Sequence, residues 1–374
     1  MIRKDYRELI HRMLAESGPG WLARRAGQYL GLQLSSIVGR PLCGPALATL
    51  LVTYRCNYDC VMCDITRQDT IRQQQGLREF DTARFCSIIE ELAALGVAGI
   101  GFTGGEPLLR PDIFELLACA RRHGLIARLN TNGFLLGDEA ARRLIASGAD
   151  SVNISLDGAR AATHDRFRNH SGAFERATTA INLLHRMRTR QNARLRIKVV
   201  SVVDETNIDE AADLVTLSQE LGADCIDFIP RQSFAEGERT LGDAALMVKV
   251  GRLAEYLRSA QKAGAPIENS PAHLQLFRAS FAGLPSPVRC QAGYNSLAVD
   301  CYGDVFPCVP WINWGKTAGN VRDKGLAQLW HSAEYQPYRR STGACRECYL
   351  NCQTELNLLF DLRARLRLWR ERQP

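Results

Sequence analysis

Short apolar runs alternate with longer segments of helical periodicity between residues 46 and 232. The runs have the length and composition of strands, and no hairpin signal lies between them. In the longer segments, apolar residues recur every three or four positions, as in amphipathic helices. This alternation predicts an α/β fold with a parallel sheet and right-handed crossovers. The predicted strands span 46–54, 99–103, 126–130, 151–156, 196–203 and 225–230, and the predicted helices span 82–95, 111–123, 138–147, 173–190 and 208–221.

Glycines and small polar residues stand at the carboxyl ends of several predicted strands. Gly104, Gly105 and Glu106 follow the second strand, Asn-Thr-Asn-Gly at 130–133 follows the third, and Asn-Ile-Ser-Leu-Asp-Gly at 153–158 closes the fourth. Parallel-sheet proteins bind ligands at this edge of the sheet. Paired glycines let a backbone come close to a ligand, and Glu106 offers a carboxylate to a cation. The pattern therefore predicts a binding site along this edge.

Cysteines form the second chemical signal. The chain has thirteen of them, no secretory signal and no apolar run long enough to cross a membrane, so thiolate–metal chemistry is favoured over disulfides. Cys56, Cys60 and Cys63 share one short loop directly after the first strand. Thiolates select zinc or iron–sulfur clusters. Three thiolates on a four-iron cluster leave one iron open for another ligand, whereas a structural zinc loop is the plainer alternative.

A second group of cysteines lies between residues 290 and 352. Cys290 and Cys308 flank a predicted hairpin that turns at 300–304, and such a hairpin brings the two thiols together. Cysteines 345, 348 and 352 follow, while Cys301 falls in the turn. These residues suit either an iron–sulfur cluster or a zinc-binding cap.

The CxxxCxxC loop and the strand-end motifs together resemble the radical S-adenosylmethionine (radical SAM) superfamily. The resemblance implies a partial (β/α)6 TIM-like barrel with a [4Fe–4S] cluster on Cys56, Cys60 and Cys63. SAM would bind the open iron and split to methionine and a 5′-deoxyadenosyl radical. Met62 stands where the family usually has an aromatic residue beside the adenine, and Arg168 is preferred to Arg166 near the SAM carboxylate. The implied cofactor-binding residues are Met62, Gly104, Gly105, Glu106, Asn130, Asn132, Ser155, Asp157 and Arg168.

The C-terminal cysteines resemble the SPASM/twitch extension of this superfamily, a small cysteine-rich domain that carries auxiliary iron–sulfur clusters. A complete SPASM domain supplies seven or more cysteines, whereas five are in register here, so we expect a single auxiliary [4Fe–4S] cluster. Cys352 is the alternative to Cys348 as the fourth ligand. The expected ligands are Cys290, Cys308, Cys345 and Cys348.

The two ends of the chain carry most of the net charge of +7. Residues 1–40 have seven Lys/Arg and three Asp/Glu, and residues 354–374 have five Arg and three Asp/Glu. Both ends are predicted to be helical, and the apolar residues Trp21, Leu22, Tyr29 and Leu30 are expected to pack on the catalytic domain. Contact with a membrane surface or a partner is the alternative. The near-neutral body argues against a nucleic-acid partner.

The expected organisation is a helical extension at 1–45, the barrel at 46–235, a helical connector at 236–289, the SPASM/twitch domain at 290–353 and a basic helix at 354–374. The resemblance implies hydrogen abstraction from a peptide, or from a small-molecule or lipid intermediate, with no catalytic residue beyond the cluster and SAM. It also implies a low-potential donor such as flavodoxin or ferredoxin. We expect a cytoplasmic protein, with peripheral membrane attachment left open. A non-catalytic iron–sulfur or zinc protein for electron transfer or partner binding is the alternative.

Overall fold

The computed structural model describes residues 19–232, 242–361 and 364. The strands in these ranges are β1 Leu47–Thr53, β2 Gly99–Gly104, β3 Ile126–Thr131, β4 Ser151–Ser155, β5 Arg196–Val203, β6 Cys225–Pro230, β7 Ser296–Asp300 and β8 Val305–Phe306. They form one open sheet in the order β6-β5-β4-β3-β2-β1-β7-β8. All neighbours are parallel except β7 and β8, so the expected α/β fold with an open, partial barrel is confirmed.

Helices flank the sheet and connect its strands. In the described ranges these helices are α1 Pro19–Val38, α2 Ile65–Gln74, α3 Thr82–Ala94, α4 Ile113–Arg122, α5 Asp138–Ala146, α6 Ala161–Arg168, α7 Ala173–Arg190, α8 Ala211–Glu220, α9 Ala244–Lys262, α10 Pro271–Phe281, α11 Pro310–Asn313, α12 Leu326–His331, α13 Gln336–Ala344 and α14 Asn351–Phe360.

The six predicted strands are all present, with ends that differ by at most one residue. Four helices in the described ranges were not predicted, namely α2, α6, α11 and α13. α11 has only four residues, and α13 is mostly polar. α2 is polar on all sides, with apolar residues only at Ile65 and Ile71, so it lacks the stripe by which a helix is recognised. α6 was identified only as a segment that contains two candidate arginines, because it is short and has few apolar residues.

The C-terminal hairpin belongs to the main sheet. β7 pairs in parallel with β1 from Leu47↔Ser296 to Leu51↔Asp300, and β8 pairs antiparallel with β7. Without β7, the backbone groups along this edge of β1 would have no partners. The sequence predicted the hairpin but not this pairing, since nothing local in 296–306 specifies its neighbour.

Side chains alternate between the two faces of the sheet. On β5, Ile197 and Val199 are buried in the core under the helices, whereas Lys198 and Val200 face the other way and are half-buried. Because paired residues in a parallel ladder share a face, Asn153 and Asp227 lie on the same inner side as Lys198 and Val200. The inner wall of the open barrel is therefore partly polar.

The predicted terminal helices are only partly within the described residues. The first, at 6–13, lies outside them, and α1 is one continuous helix. Its expected apolar stripe is wrong in part, because Trp21 is buried while Leu22 and Leu30 are exposed. Of the predicted C-terminal helix, the structure describes only α14, Asp361 and Ala364. The other residues between 362 and 374 lie outside the described residues.

Candidate functional site

The first cysteine loop connects β1 to α2 at the carboxyl edge of the sheet. Cys56, Cys60 and Cys63 are free thiols, and burial raises the pKa of Cys56 to about 11. The backbone amide of Tyr58 donates to Cys56 Sγ over 3.5 Å, and the Tyr58 ring lies 4.4 Å from that of His170, centroid to centroid. Packing of this ring fixes the middle of the loop.

The two glycines after β2 are required by the chain's own backbone. A Cβ on Gly104 would lie 2.1 Å from Thr53 O, and one on Gly105 would lie 2.1 Å from Arg55 O. Gly104 also has a φ of +143°, which favours glycine. The structure adds this reason to the predicted approach of a ligand, because β2 ends against the segment that leads into the cysteine loop.

Glu106 ties the ends of two strands together. Its buried carboxylate accepts hydrogen bonds from Leu108 N (3.0 Å), Thr131 Oγ1 (2.8 Å) and Asn132 N (2.8 Å). Burial raises its pKa, although these three donors oppose the shift. Asn132 in turn donates to Asn57 Oδ1 over 2.8 Å. Glu106 therefore holds the β3 end against the cysteine loop, a role that the sequence did not indicate.

Arg168 connects the end of β4 to the cysteine loop. Its Nε donates to Asp157 Oδ2 over 2.5 Å, and its Nη1 lies 3.8 Å from Cys60 Sγ. Asp157 is fully buried and also accepts from Val202 N over 2.8 Å. Burial lowers the pKa of Arg168, but Asp157 and Cys60 together more than offset this and raise it overall. Asp157 thus positions Arg168, and its place in the SAM pocket stays a prediction.

His164 is a site residue that the sequence analysis missed. It stands one helical turn before Arg168 on α6, and its Nδ1 accepts from Asp157 N over 2.9 Å. Burial lowers its pKa to about 4, so the ring is neutral near pH 7. The sequence could have indicated His164 through its spacing of four residues from Arg168, because residues four apart share a helix face.

The remaining predicted residues lie on the same edge of the sheet or just inside it. Asn130 Oδ1 accepts from Asn153 Nδ2 over 2.7 Å on the inner wall. Ser155 is half-buried at the end of β4, and Met62 is half-buried in the cysteine loop. The structure brings these residues to one region of the sheet.

The second cysteine group surrounds a separate cavity. Cys290, Cys308, Cys345 and Cys348 line it together with Trp311, whereas Cys352 does not. Burial raises the pKa of Cys290 to about 12 and that of Cys308 and Cys348 well above the ordinary value. A metal centre would have to displace these protons.

This cavity lies across the opening of the sheet. Cys308 follows β8 at one edge, and Gln232 follows β6 at the other. Gln232 Nε2 donates to Glu347 O over 2.7 Å, and its Oε1 accepts from Tyr349 N over 2.9 Å. The segment with the last cysteines therefore joins the two edges that the open barrel leaves apart.

Comparison with known proteins identifies the family. A model described as the radical SAM superfamily matches residues 50–215, and a model of an iron–sulfur cluster-binding domain, SPASM, matches residues 290–352. The mycofactocin maturase MftC of Mycolicibacterium smegmatis is 31% identical over 83% of this chain and 76% of its own. The chain belongs to the radical SAM superfamily. The AdoMet-dependent heme synthase of Methanosarcina barkeri is 29% identical over 78% of this chain and 83% of its own.

Solved structures support the radical SAM fold. SuiB of Streptococcus suis has a TM-score of 0.63 at 17% identity, covering 85% of this chain and 75% of that one. The protein anSMEcpe, with bound AdoMet and a peptide, has a TM-score of 0.60 at 16% identity and covers 87% of this chain and 99% of its own. Both likenesses concern the fold. The predicted partial barrel with a C-terminal SPASM domain is confirmed.

The residues present fit the cofactors of this radical SAM enzyme, which are a [4Fe–4S] cluster, SAM and an auxiliary iron–sulfur cluster. The donor sets are thiols. Beside the first set, Asn57 Nδ2 and Tyr58 Oη are buried and have no hydrogen-bond partner among the described residues. No three His, Cys, Asp or Glu side chains in the described ranges are close enough to share one metal ion. The thiolates of a cluster bind different irons and therefore stand farther apart than the ligands of one ion.

Proposed function

We propose that this radical SAM enzyme modifies a peptide inside the open barrel. The observation that carries the proposal is the polar inner wall of the sheet, which has the first cysteine loop at its carboxyl edge and the auxiliary cavity across its opening. Asn130, Asn153 and Asp227 on that wall offer hydrogen-bonding groups of the kind that a peptide backbone requires. Relatives named PqqA peptide cyclase and mycofactocin maturase support a peptide substrate.

When bound, the cluster and SAM supply a 5′-deoxyadenosyl radical that removes hydrogen from a C–H bond. In the proposed site, the chain's own residues position SAM and the substrate and enclose them. Arg168, held by Asp157, presents a fixed cation at Cys60, where it would meet the SAM carboxylate. Glu106 keeps Asn132 against the loop.

The basic test is anaerobic reconstitution with iron and sulfide, followed by SAM and dithionite. We expect about eight irons per chain and release of 5′-deoxyadenosine, with about four irons and no release in Cys56→Ala/Cys60→Ala/Cys63→Ala. Candidate precursor peptides are then added, and their mass is followed. Iron binding without SAM cleavage under any reductant would overturn the proposal and favour a non-catalytic iron–sulfur protein.

A small-molecule substrate is the second candidate. Arg128 lies on the inner face of β3, half-buried, and has no ion-pair or hydrogen-bond partner among the described residues. A half-buried cation of this kind suits a substrate carboxylate. A relative of comparable similarity is named a heme synthase rather than a peptide-modifying enzyme. Loss of turnover in Arg128→Gln with a carboxylate substrate, and no turnover of peptides, would favour this candidate.

Two partners are also proposed. Reduction requires a low-potential electron donor such as a flavodoxin or ferredoxin, which can be tested by replacing dithionite with either protein. The basic ends predict peripheral contact with a membrane, and no helix in the described ranges is long and apolar enough to cross one.

The four cavity-lining thiols are proposed to bind one auxiliary [4Fe–4S] cluster, with Cys348 rather than Cys352 as the fourth ligand.

A further inference from the structure

Helix α1 attaches to the rest of the protein through polar side chains as well as through the buried Trp21 and Leu32. Arg25 Nη1 donates to Gly96 O over 2.6 Å, and Gln28 Nε2 donates to Pro45 O over 3.0 Å and to Gly96 O over 2.9 Å. Ser35 is fully buried and accepts from Leu42 N over 2.9 Å. The inner side of the helix therefore combines hydrogen-bonding groups with the buried side chains of Trp21 and Leu32.

The opposite side of α1 is apolar and faces outwards. At 100° per residue its positions fall within an arc of about 160°, four and a half turns long, that contains no charged residue. The one amide in this arc, Gln33, is turned aside and donates to Phe360 O over 2.9 Å. The exposed fractions reach 62% at Leu30 and 77% at Ile37. This outer face of α1 consists of Leu22, Ala23, Ala26, Gly27, Leu30, Leu34, Ile37 and Val38.

Helix α14 extends the outer face of α1. The rings of Tyr29 and Phe360 stack with centroids 5.1 Å apart, and Tyr29 Oη donates to Leu359 O over 3.3 Å. Leu359, which is 49% exposed, adds one more apolar side chain on this neighbouring helix. A continuous, exposed apolar face without charged residues is typical of a contact site.

Positive charge borders this surface. Arg24 and Arg40 are exposed at its two ends, and the sequence that follows α14, residues 362–374, contains five Arg and one Glu. A second copy of the chain would bring these like charges together. An apolar face edged by arginines is instead complementary to the headgroups and acyl boundary of an anionic bilayer. We propose that the outer face of α1, with Leu359, docks the enzyme on an anionic membrane surface without crossing it.

The proposal is tested with the reconstituted full-length enzyme and two kinds of vesicle under anaerobic conditions. One is pure phosphatidylcholine, and the other contains about one quarter phosphatidylglycerol. We expect flotation with the anionic vesicles only, weakened at high salt. In Leu30→Asp/Ile37→Asp the bound fraction falls at least tenfold. The matched control is Val248→Asp, since Val248 is an exposed aliphatic residue (56%) on α9, and its binding is unchanged.

The proposal would be overturned if the wild type did not float with the vesicles, or if the double variant floated equally well. It would also be overturned if the wild type formed a dimer, the double variant were monomeric and neither protein bound vesicles. Both substituted residues are exposed, so the variant is expected to unfold at the wild-type temperature. The proposal is independent of the substrate, and 5′-deoxyadenosine formation in solution is expected to be the same in all three proteins. Loss of that activity would concern the proposed function, whereas loss of flotation alone concerns the surface.

Discussion

At the residue scale, most polar side chains near the first cysteine loop bind other parts of the protein. Glu106 and Asp157, which we expected to face SAM, accept hydrogen bonds from neighbouring strands and from Arg168. Buried carboxylates require such partners, because an unpaired charge is costly away from water. Motif residues at the sheet edge therefore include positioning groups as well as cofactor ligands.

Arg168→Lys keeps the positive charge but removes the planar fork that reaches both Asp157 and Cys60. We expect 5′-deoxyadenosine formation to slow by about tenfold to a hundredfold, the equivalent of one or two charged hydrogen bonds. The rate is measured with saturating dithionite, and SAM affinity is measured separately. Arg166→Lys on the same helix is the control, and equal losses in both variants would contradict the assignment.

Gly105→Ala is expected to destabilise the fold. The new Cβ would lie 2.1 Å from Arg55 O, and backbone must move to relieve the clash. We expect the free energy of unfolding, measured with urea, to fall by about 1–3 kcal/mol. Gly101→Ala is the matched control, because a Cβ at Gly101 meets no atom within 4 Å. A similar loss in both proteins would count against the explanation.

His164 should make stability depend on pH. Its pKa is lowered from 6.5 to about 4 by burial, so the unfolded chain binds a proton more readily than the folded one. The contribution is fully present above pH 6.5 and is lost as pH falls towards about 4, by about 3 kcal/mol at most. Urea unfolding between pH 7.5 and about 5.5 measures the slope. His164→Asn, which keeps an acceptor but cannot be protonated, should flatten it; an unchanged slope would refute the cause.

At the element scale, the C-terminal hairpin is locked to β1 by side chains as well as by backbone. Tyr54 Oη donates to Asp300 Oδ2 over 2.7 Å, across the β1–β7 pair. Asp300 also accepts from Tyr302 N (3.0 Å) and Asp304 N (2.8 Å), which shapes the turn. Burial and the nearby Asp304 raise the pKa of Asp300 to about 6. The turn that carries the chain towards Cys308 is therefore anchored in the barrel.

Tyr54→Phe removes one donor from this buried carboxylate. We expect the free energy of unfolding to fall by about 1–3 kcal/mol at pH 7. The loss should shrink as pH falls through about 6, because protonated Asp300 is less costly to bury. Thermal and urea unfolding of the wild type and the variant, measured at pH 7 and below about pH 6, test this prediction. Tyr335→Phe serves as the control, since the Tyr335 hydroxyl is buried and has no partner among the described residues.

At the scale of the whole molecule, the segment 345–352 closes the open barrel. It contacts Gln232 beyond β6, and Asn351 Nδ2 donates to Asp227 Oδ2 on the inner wall. The auxiliary cavity thus lies between the two edges of the sheet, beside the polar inner wall. A metal centre there would stabilise the closed arrangement, since binding energy at a folded site adds to folding energy.

The fourth auxiliary ligand can be assigned by removing cysteines singly. Cys348→Ala is expected to lose the auxiliary cluster, so that iron falls from about eight to about four per chain. Cys352→Ala should retain the iron, because Cys352 does not line the cavity. Iron content and the electron paramagnetic resonance of the reduced proteins distinguish the two. The reverse pattern would assign Cys352, and loss of cluster in both would indicate that the ligand can exchange.

Removal of both clusters by chelation under anaerobic conditions should lower the melting temperature. Cys56→Ala/Cys60→Ala/Cys63→Ala, which removes only the first cluster, should cause less than half of that decrease. Its loop lies at one edge of the sheet, whereas the auxiliary cavity joins both edges. Scanning calorimetry of the holo, variant and chelated proteins provides the comparison. An equal effect of the two sites would argue against a bridging role for the C-terminal segment.

The sequence by itself determined the strands, most helices, both cysteine groups and the family, because periodicity and motif spacing are local properties of the chain. The tertiary structure alone decided which side chains each motif residue meets, that β7 completes the edge of β1, and that α1 turns its apolar side outwards. Pairing between distant segments depends on what remains unsatisfied elsewhere in the fold. α1 has apolar residues on both sides, and the packing of Trp21 and Leu32 together with the hydrogen bonds to Gly96 and Pro45 fixes which side faces outwards.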